Sequence, residues 1–190
     1  MLNLVIFGPP GSGKGTQASK LMEKYQLTHI STGDLLRSEV AAGTDLGNKA
    51  KAIMDRGELV PDKIVIEMIR KKLEENKEGN GFIFDGFPRT VEQARELRNL
   101  LQDYHQTISV VVSLTVERDE LVDRLVKRGK EQGRDDDNPE TINNRIQVYE
   151  NQTIPVAYYY EKARLHEKVD GMGSIDEIFK RITKVVDKYK

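Results

Sequence analysis

The sequence predicts an α/β fold, a five-stranded parallel sheet with helices on both faces. Three observations carry that prediction. Short apolar segments alternate along the chain with longer segments of helical spacing, the order required by parallel strands joined through helical crossovers. The first apolar segment, Leu4-Val5-Ile6-Phe7, runs directly into Gly8-Pro9-Pro10-Gly11-Ser12-Gly13-Lys14-Gly15-Thr16 and then into a helical pattern. At 190 residues the chain is near the upper end for one domain and too short for two ordinary ones, so one core is expected.

The elements follow in order. After the first strand, Ala18, Leu21, Met22 and Tyr25 fall at i, i+3, i+4 and i+7, the stripe of a helix lying on a sheet. Thr28 to Ser31 reads as a short second strand. Residues 32–61 then hold two helices, 33–42 and 45–56, with no strand between them, punctuated by Gly43, Gly47 and Gly57 and closed by Pro61. This is a helical insertion. A helix over 62–75 leads to the buried strand Gly81-Phe82-Ile83-Phe84-Asp85, a helix over 91–103 to a strand from Thr107 to Leu114, and a helix over 117–128 to the charged run 127–137. That run reads as a flexible exposed loop and a candidate lid. Asn138 and Pro139 restart a helix as N-cap and first-turn proline, and it continues to 165 with a kink expected at Pro155. Lys168-Val169-Asp170 is a short last strand and 175–189 a last helix. The core then comprises 1–31, 62–126 and 138–190.

Composition narrows the class of partner. Charged residues are 32% of the chain, but the net charge is only −1, so no global field draws it to nucleic acid or acidic lipid. The absence of cysteine excludes disulfides and cysteine-based zinc sites and fits a reducing compartment. The apolar N-terminus has no basic flank and enters the glycine turn at once, so it reads as a core strand rather than a signal peptide. No apolar run approaches the roughly 20 residues that span a bilayer. A cytoplasmic monomer without membrane or nucleic-acid partner is the expectation.

The glycine turn reads as a phosphate-binding loop. Its glycines let several backbone N–H groups point inward, the helix starting near Gly13 offers its positive end, and Lys14 adds an ammonium. Gly15 stands directly after Lys14, where the common form of the loop has Ser or Thr, and Thr16 carries the hydroxyl one place later. Asp85 closes an apolar strand, as a magnesium-associated acid does in phosphate-loop proteins. Gly8, Thr32 and Asp85 all fall at carboxyl ends of strands, where ligands of such sheets collect. Arg124 and Arg128 share a helix face, Arg134 lies just beyond in the loop, and Arg145 stands at the start of the next helix. Together they suit a phosphoryl group in flight, whose spread negative charge planar guanidinium groups neutralise and orient better than ammonium does. His29, His105 and His166 have no ligand-spaced neighbours, and no general base is needed, because a phosphate monoester with second pKa about 6 is already a dianion at neutral pH. Tyr158-Tyr159-Tyr160 is explained by packing.

With those residues in place the chain closely resembles the adenylate kinase family, of the nucleoside monophosphate kinase type. The matching motifs are Gly8 to Thr16, Ser31-Thr32-Gly33-Asp34-Leu35-Leu36-Arg37, Gly57-Glu58-Leu59-Val60-Pro61-Asp62, Asp85-Gly86-Phe87-Pro88-Arg89-Thr90 with Gln93, and Gly133-Arg134-Asp135-Asp136-Asp137-Asn138. They span nearly the whole chain. The resemblance implies reversible transfer of the terminal phosphoryl group of ATP to AMP, giving two ADP, with magnesium as cofactor and no zinc. It further implies that Gly11, Ser12, Gly13, Lys14, Gly15 and Thr16, with Arg124, Arg128 and Gly173, bind ATP. Thr32, Gly33, Arg37, Gly57, Glu58, Leu59, Val60, Gly86, Phe87, Pro88, Arg89, Gln93, Arg134 and Arg145 correspond to AMP-binding positions. Arg89, Arg134 and Arg145 surround the transferring group and join Lys14, Arg124 and Arg128 as catalytic residues, while Asp85 organises magnesium through water. Residues 32–61 match the mobile AMP-binding insertion and 127–137 the short form of the lid. The Gly-Lys-Gly-Thr form of the loop is the one found in nucleoside monophosphate kinases.

Three alternatives stand beside this reading. UMP/CMP kinases share the fold and short lid, but tend to have Ala and Asn where this chain has Thr32 and Gln93, the residues adenylate kinases carry. In a GTP-dependent switch protein the guanine-reading N-K-x-D would fall on Asn48-Lys49-Ala50-Lys51, which lacks the aspartate. A catalytically silent nucleotide-binding module would have no use for Lys14, Asp85 and the arginines together.

Overall fold

A computed structural model describes residues 1–190. Its sheet contains β1 (Leu4–Phe7), β2 (Thr28–Ser31), β3 (Phe82–Asp85), β4 (Val110–Thr115) and β5 (His166–Asp170), all parallel, in the order β2-β3-β1-β4-β5. The first strand is therefore central: the chain first builds β2 and β3 on one side of it and then crosses over to build β4 and β5 on the other. This is the topological switch point at which open α/β sheets bind ligands.

Period-two alternation on the strands builds two cores. Leu4 and Ile6 of β1, Ile83 of β3, and Val110, Val112 and Leu114 of β4 face one side, with Ala18 and Leu21 from α1 (Lys14–Tyr25) and Ile178, Ile182 and Val186 from α9 (Ile175–Val186). Val5, Phe7, Phe82, Phe84 and Val111 face the other, against α4 (Asp62–Glu75), α5 (Val91–Asp103) and α8 (Ile154–Lys162). Burial on both faces explains why these strands are almost wholly apolar. Asn3, fully buried, ties the strand entrances together: its Oδ1 accepts from the Phe82 N–H at 3.0 Å and its Nδ2 donates to the Thr107 carbonyl at 2.9 Å. The Asn3 carbonyl also accepts from the Ser109 N–H at 2.8 Å, and β4 begins at Val110, three residues later than the Thr107 expected.

Between β2 and α4 lie only helices, α2 (Thr32–Ala41) and α3 (Asp45–Asp55), capped by the Ser31 and Thr44 side chains. Asn48-Lys49-Ala50-Lys51 is inside α3, which removes it from any guanine-reading loop.

Three expectations need correction. The charged run from 127 is not a flexible loop: α6 spans Arg118–Gln132, ends on Gly133 in the left-handed conformation (φ 60), and is followed by a 3-10 turn at Asp135–Asp137. Lys, Glu and Gln are good helix formers, and glycine supplies the stop one turn later than the charge pattern suggested. The helix from 139 is not continuous, since α7 (Pro139–Val148) passes into a π-helical turn at Tyr149–Thr153 before α8. Pro155 cannot donate to the carbonyl four residues earlier, and the wider turn absorbs the missing bond. Arg145 consequently lies in the last turn of α7, not at the start of a long helix. Packing accounts for Tyr160, which is buried edge-on to Tyr159, but not for Tyr158, which is 60% exposed.

Candidate active site

The carboxyl ends of the strands open into a cavity of about 750 Å³, adjoined by a smaller one of about 70 Å³. Gly33, Arg37, Gly57, Leu59, Gly86, Arg89 and Arg145 line both. Every site residue inferred from the sequence lies on one or the other: the loop from Gly11 to Thr16, Asp85, Phe87, Pro88, Arg124, Arg128, Arg134 and Gly173 on the larger, and Thr32, Glu58, Val60 and Gln93 on the smaller.

The glycine loop is shaped by contact with its neighbours. A Cβ on Gly11 (φ +83) would sit 2.8 Å from the Leu121 carbonyl and 2.9 Å from Leu125, so only glycine lets the loop lie against α6. Gly13, left-handed at φ 86, starts α1 with no side-chain cap, leaving the helix's first N–H groups and positive end to the cavity. Ser12 contributes a buried hydroxyl with no hydrogen-bond partner in the protein. The Lys14 ammonium folds back and donates to the Gly8 carbonyl at 2.8 Å and the Pro9 carbonyl at 3.0 Å. Burial lowers its pKa to about 7, with Arg89, Arg145 and Arg128 pushing the same way and Asp85 opposing.

Opposite the loop stand the arginines, and two of them, Arg128 and Arg145, share one carboxylate. Arg124 donates to Glu120 at 2.7 Å, one turn back on α6, and reaches toward the Gly171 carbonyl. Arg128 grips both oxygens of Asp137, at 2.6 and 2.8 Å, and Arg145 donates to the same carboxylate at 2.6 Å and pairs with Asp136 at 3.0 Å. Asp137 has no exposed side-chain surface. Burial alone would raise its pKa, but the hydrogen bonds and charges of Arg128 and Arg145 outweigh this and hold it below the usual carboxylate range. Arg89 donates from Nε to the Gly86 carbonyl at 2.8 Å, and burial lowers its pKa to about 10, helped by the nearby Arg145 charge. Burial also lowers Arg134 and Arg145, with Arg128 adding to both. The site is thus a concentration of cations that have lost water without gaining enough carboxylates, the environment of an anion-binding cleft.

On the smaller cavity Thr32 donates to the Gly86 carbonyl at 2.8 Å, and the Gln93 amide is bonded at both ends, accepting from the Arg89 N–H and donating to Asp62, each at 2.7 Å. Arg37 is paired with Asp34 at 2.6 Å. Gly57 (φ +72) packs so closely on α7 that a Cβ would lie 2.9 Å from Arg145 Cγ and 3.0 Å from the Thr141 carbonyl. Glu58, which lines the smaller cavity, accepts from Arg56 on its two carboxylate oxygens at 2.9 and 3.1 Å.

Sequence reasoning missed four residues of this region: Asp62, Asp136, Asp137 and His29. The two lid aspartates belong to a motif noted for its resemblance, but a run of acids reads as solvated. His29 places a buried Nε2 with no hydrogen bond 3.6 Å from Asp85 Oδ2, and no spacing in the sequence pointed to that meeting.

A parallel sheet of this strand order, with a glycine loop after its central strand and an α2–α3 excursion beside the cavity, defines the nucleoside monophosphate kinase class of phosphate-loop proteins. The chain belongs to the adenylate kinase family, whose model matches residues 6–165. It is 50% identical over 190 residues, all of both chains, to the adenylate kinase of Parabacteroides distasonis. To that of Bacteroides thetaiotaomicron it is 48% identical over 188 residues, covering 99% of this chain and 100% of the relative. To that of Xanthomonas campestris it is 51% identical over 181 residues, 95% and 97% of the two chains. Neither comparison supports the UMP/CMP kinase alternative.

Proposed function

We propose that the chain catalyses reversible transfer of the terminal phosphoryl group of ATP to AMP, giving two ADP. The observation that carries this reading is one cleft in which Lys14, Arg89, Arg124, Arg128, Arg134 and Arg145 converge between a phosphate loop and a second, adjoining cavity. The loop from Gly11 to Thr16 and Lys14 hold the donor phosphates, with Arg124, Arg128 and Gly173 on the ATP side. Thr32, Gly33, Arg37, the backbone from Gly57 to Val60, Gly86 to Arg89, and Gln93 hold AMP. Arg89, Arg134 and Arg145 stand where the two meet.

A phosphate oxygen of AMP, already ionised, bonds to the terminal phosphorus of ATP as the bond to the bridging oxygen breaks. The arginines neutralise the charge that spreads over the transferring group, and their acid partners hold them in place beforehand, so little reorganisation is left for the reaction itself. Water competes with AMP as acceptor. Alignment and exclusion of water by the 32–61 segment and the 127–137 segment, moving as two flaps, contribute up to about 7–11 kcal/mol.

Asp85 would hold magnesium. It is a hard oxygen donor beside the loop, and a Cβ on Gly15 would still lie 3.5 Å from its Oδ2, so the residue after Lys14 leaves that carboxylate uncrowded. An ion held by this one carboxylate would have phosphates and water completing its shell. When bound, magnesium neutralises phosphate charge and orients the donor. No helix is long and apolar enough to cross a membrane. A cytoplasmic monomer is the state we propose for the chain, whose large exposed apolar side chains are Met1, Tyr158 and Ile175.

A coupled assay with ATP and each of AMP, UMP, CMP and GMP tests the reading. Transfer to AMP alone is expected; transfer to UMP and CMP instead, or no transfer, would overturn it.

A further inference from the structure

We propose that Asp62 is a positioning residue that locks the Gln93 amide in one orientation and thereby sets the preference for a 6-aminopurine over a 6-oxopurine acceptor. This rests on the reading of the smaller cavity as the AMP site. Gln93 is only 2% exposed, yet it lines that cavity. Its Oε1 accepts from the Arg89 N–H at 2.7 Å and its Nε2 donates to Asp62 Oδ1 at 2.7 Å. The other oxygen of Asp62 accepts from the Thr90 hydroxyl at 2.8 Å, and that hydroxyl caps α5 by accepting from the Gln93 N–H at 3.1 Å. Both oxygens of a carboxylate on α4 are thus committed to the first turn of α5. Asp62 is also the first residue after the 32–61 segment, so it joins the base of that segment to the amide.

The lock follows from donor and acceptor chemistry. An ionised carboxylate only accepts and a backbone N–H only donates, so a reversed amide would set oxygen against carboxylate and NH2 against N–H. Two buried hydrogen bonds would become two repulsions. In the allowed orientation Gln93 has one Nε2–H and one Oε1 lone pair left to offer. A 6-aminopurine presents a ring-nitrogen acceptor beside an amino donor and matches that pair. A 6-oxopurine presents a ring N–H donor beside a carbonyl acceptor and meets it donor to donor and acceptor to acceptor, the mismatch that hydrogen-bonding sites reject most strongly.

Asp62→Leu tests this, because a leucine of similar size offers the Gln93 Nε2 no acceptor and leaves the amide held at one end only, by the Arg89 N–H. Steady-state kinetics with ATP and either AMP or IMP should show KM for AMP raised about tenfold and the AMP-to-IMP ratio of kcat/KM lowered about tenfold, the scale of one misdirected buried hydrogen bond. The kcat with AMP and the KM for ATP should stay within about twofold. In a Gln93→Leu background the same substitution should change neither KM nor ratio, because Asp62 acts only through the amide. A folded Asp62→Leu protein with unchanged ratio, or an undiminished effect in the Gln93→Leu background, overturns the proposal. Should Asp62→Leu not fold, NMR of the wild-type Gln93 side chain decides: one slowly exchanging Nε2 proton is expected, and fast exchange of both overturns it. Failure of the wild-type protein to phosphorylate AMP would instead sink the function on which the proposal rests.

Discussion

Lys14 should take up a proton when nucleotide binds. Burial, reinforced by Arg89, Arg145 and Arg128, lowers its pKa to about 7, whereas an exposed lysine titrates near 10.5. Donor phosphates placed around the ammonium would reverse that balance and raise the pKa well above neutrality. At about pH 8 roughly nine in ten free molecules hold a neutral Lys14, so binding takes up about 0.9 proton; at pH 7 the uptake is about 0.5, and at pH 6 about 0.1. Titration calorimetry with magnesium and ATP in two buffers of different ionisation enthalpy measures this directly. Lys14→Met should abolish the buffer dependence. Equal heats in both buffers at about pH 8 would refute the assigned electrostatics, and so would an unchanged uptake in Lys14→Met. The same shift predicts a stability slope. The folded pKa is the lower one, so between about 7 and 10.5 the unfolded chain holds the extra proton. The Lys14 contribution is therefore fully favourable above the upper value and is lost as pH falls through the lower one. Denaturant midpoints of wild type and Lys14→Met should converge as pH rises across that window.

Other perturbations probe the arginines, the acids that hold them and the flaps. Arg89→Ala should leave the circular dichroism spectrum unchanged but slow transfer at least about a hundredfold, the scale for losing one preorganised charge; near-normal turnover would remove Arg89 from the reaction. Asp137→Ala strips the shared partner from Arg128 and Arg145, and urea unfolding should show about 1–3 kcal/mol of lost stability. That is less than a fully buried pair loses, because the two guanidinium side chains are 26% and 16% exposed toward the cleft. If opening and closing of the flaps limit turnover, kcat should fall with solvent viscosity and change in Gly57→Ala, whose new methyl would meet α7 at about 3 Å. A kcat indifferent to both points to chemistry as the slow step.

The sequence by itself determined what depends on near neighbours. Leu4-Val5-Ile6-Phe7, Phe82-Ile83-Phe84 and Val110-Val111-Val112 had to be strands buried on both faces, because each is apolar at every position, and the glycine loop, the Asn138 cap and Pro139 are likewise local signals. Strand ends also placed Gly8, Thr32 and Asp85 on one edge of the sheet, which brought most of the cleft within reach. Tertiary structure alone decided where the acids went. Asp135-Asp136-Asp137 has the composition of a solvated run, and Asp137 is buried only because Arg128 and Arg145, on different helices, arrive at its two oxygens. Asp62 and Gln93 are 31 residues apart, and no periodicity couples α4 to α5. The interrupted helix before Pro155 depended on how the chain re-paired its carbonyls through a π-helical turn. Apolar pattern and turn chemistry act over a few residues, whereas the burial of a charge is set by the counter-charges that the whole fold delivers to it.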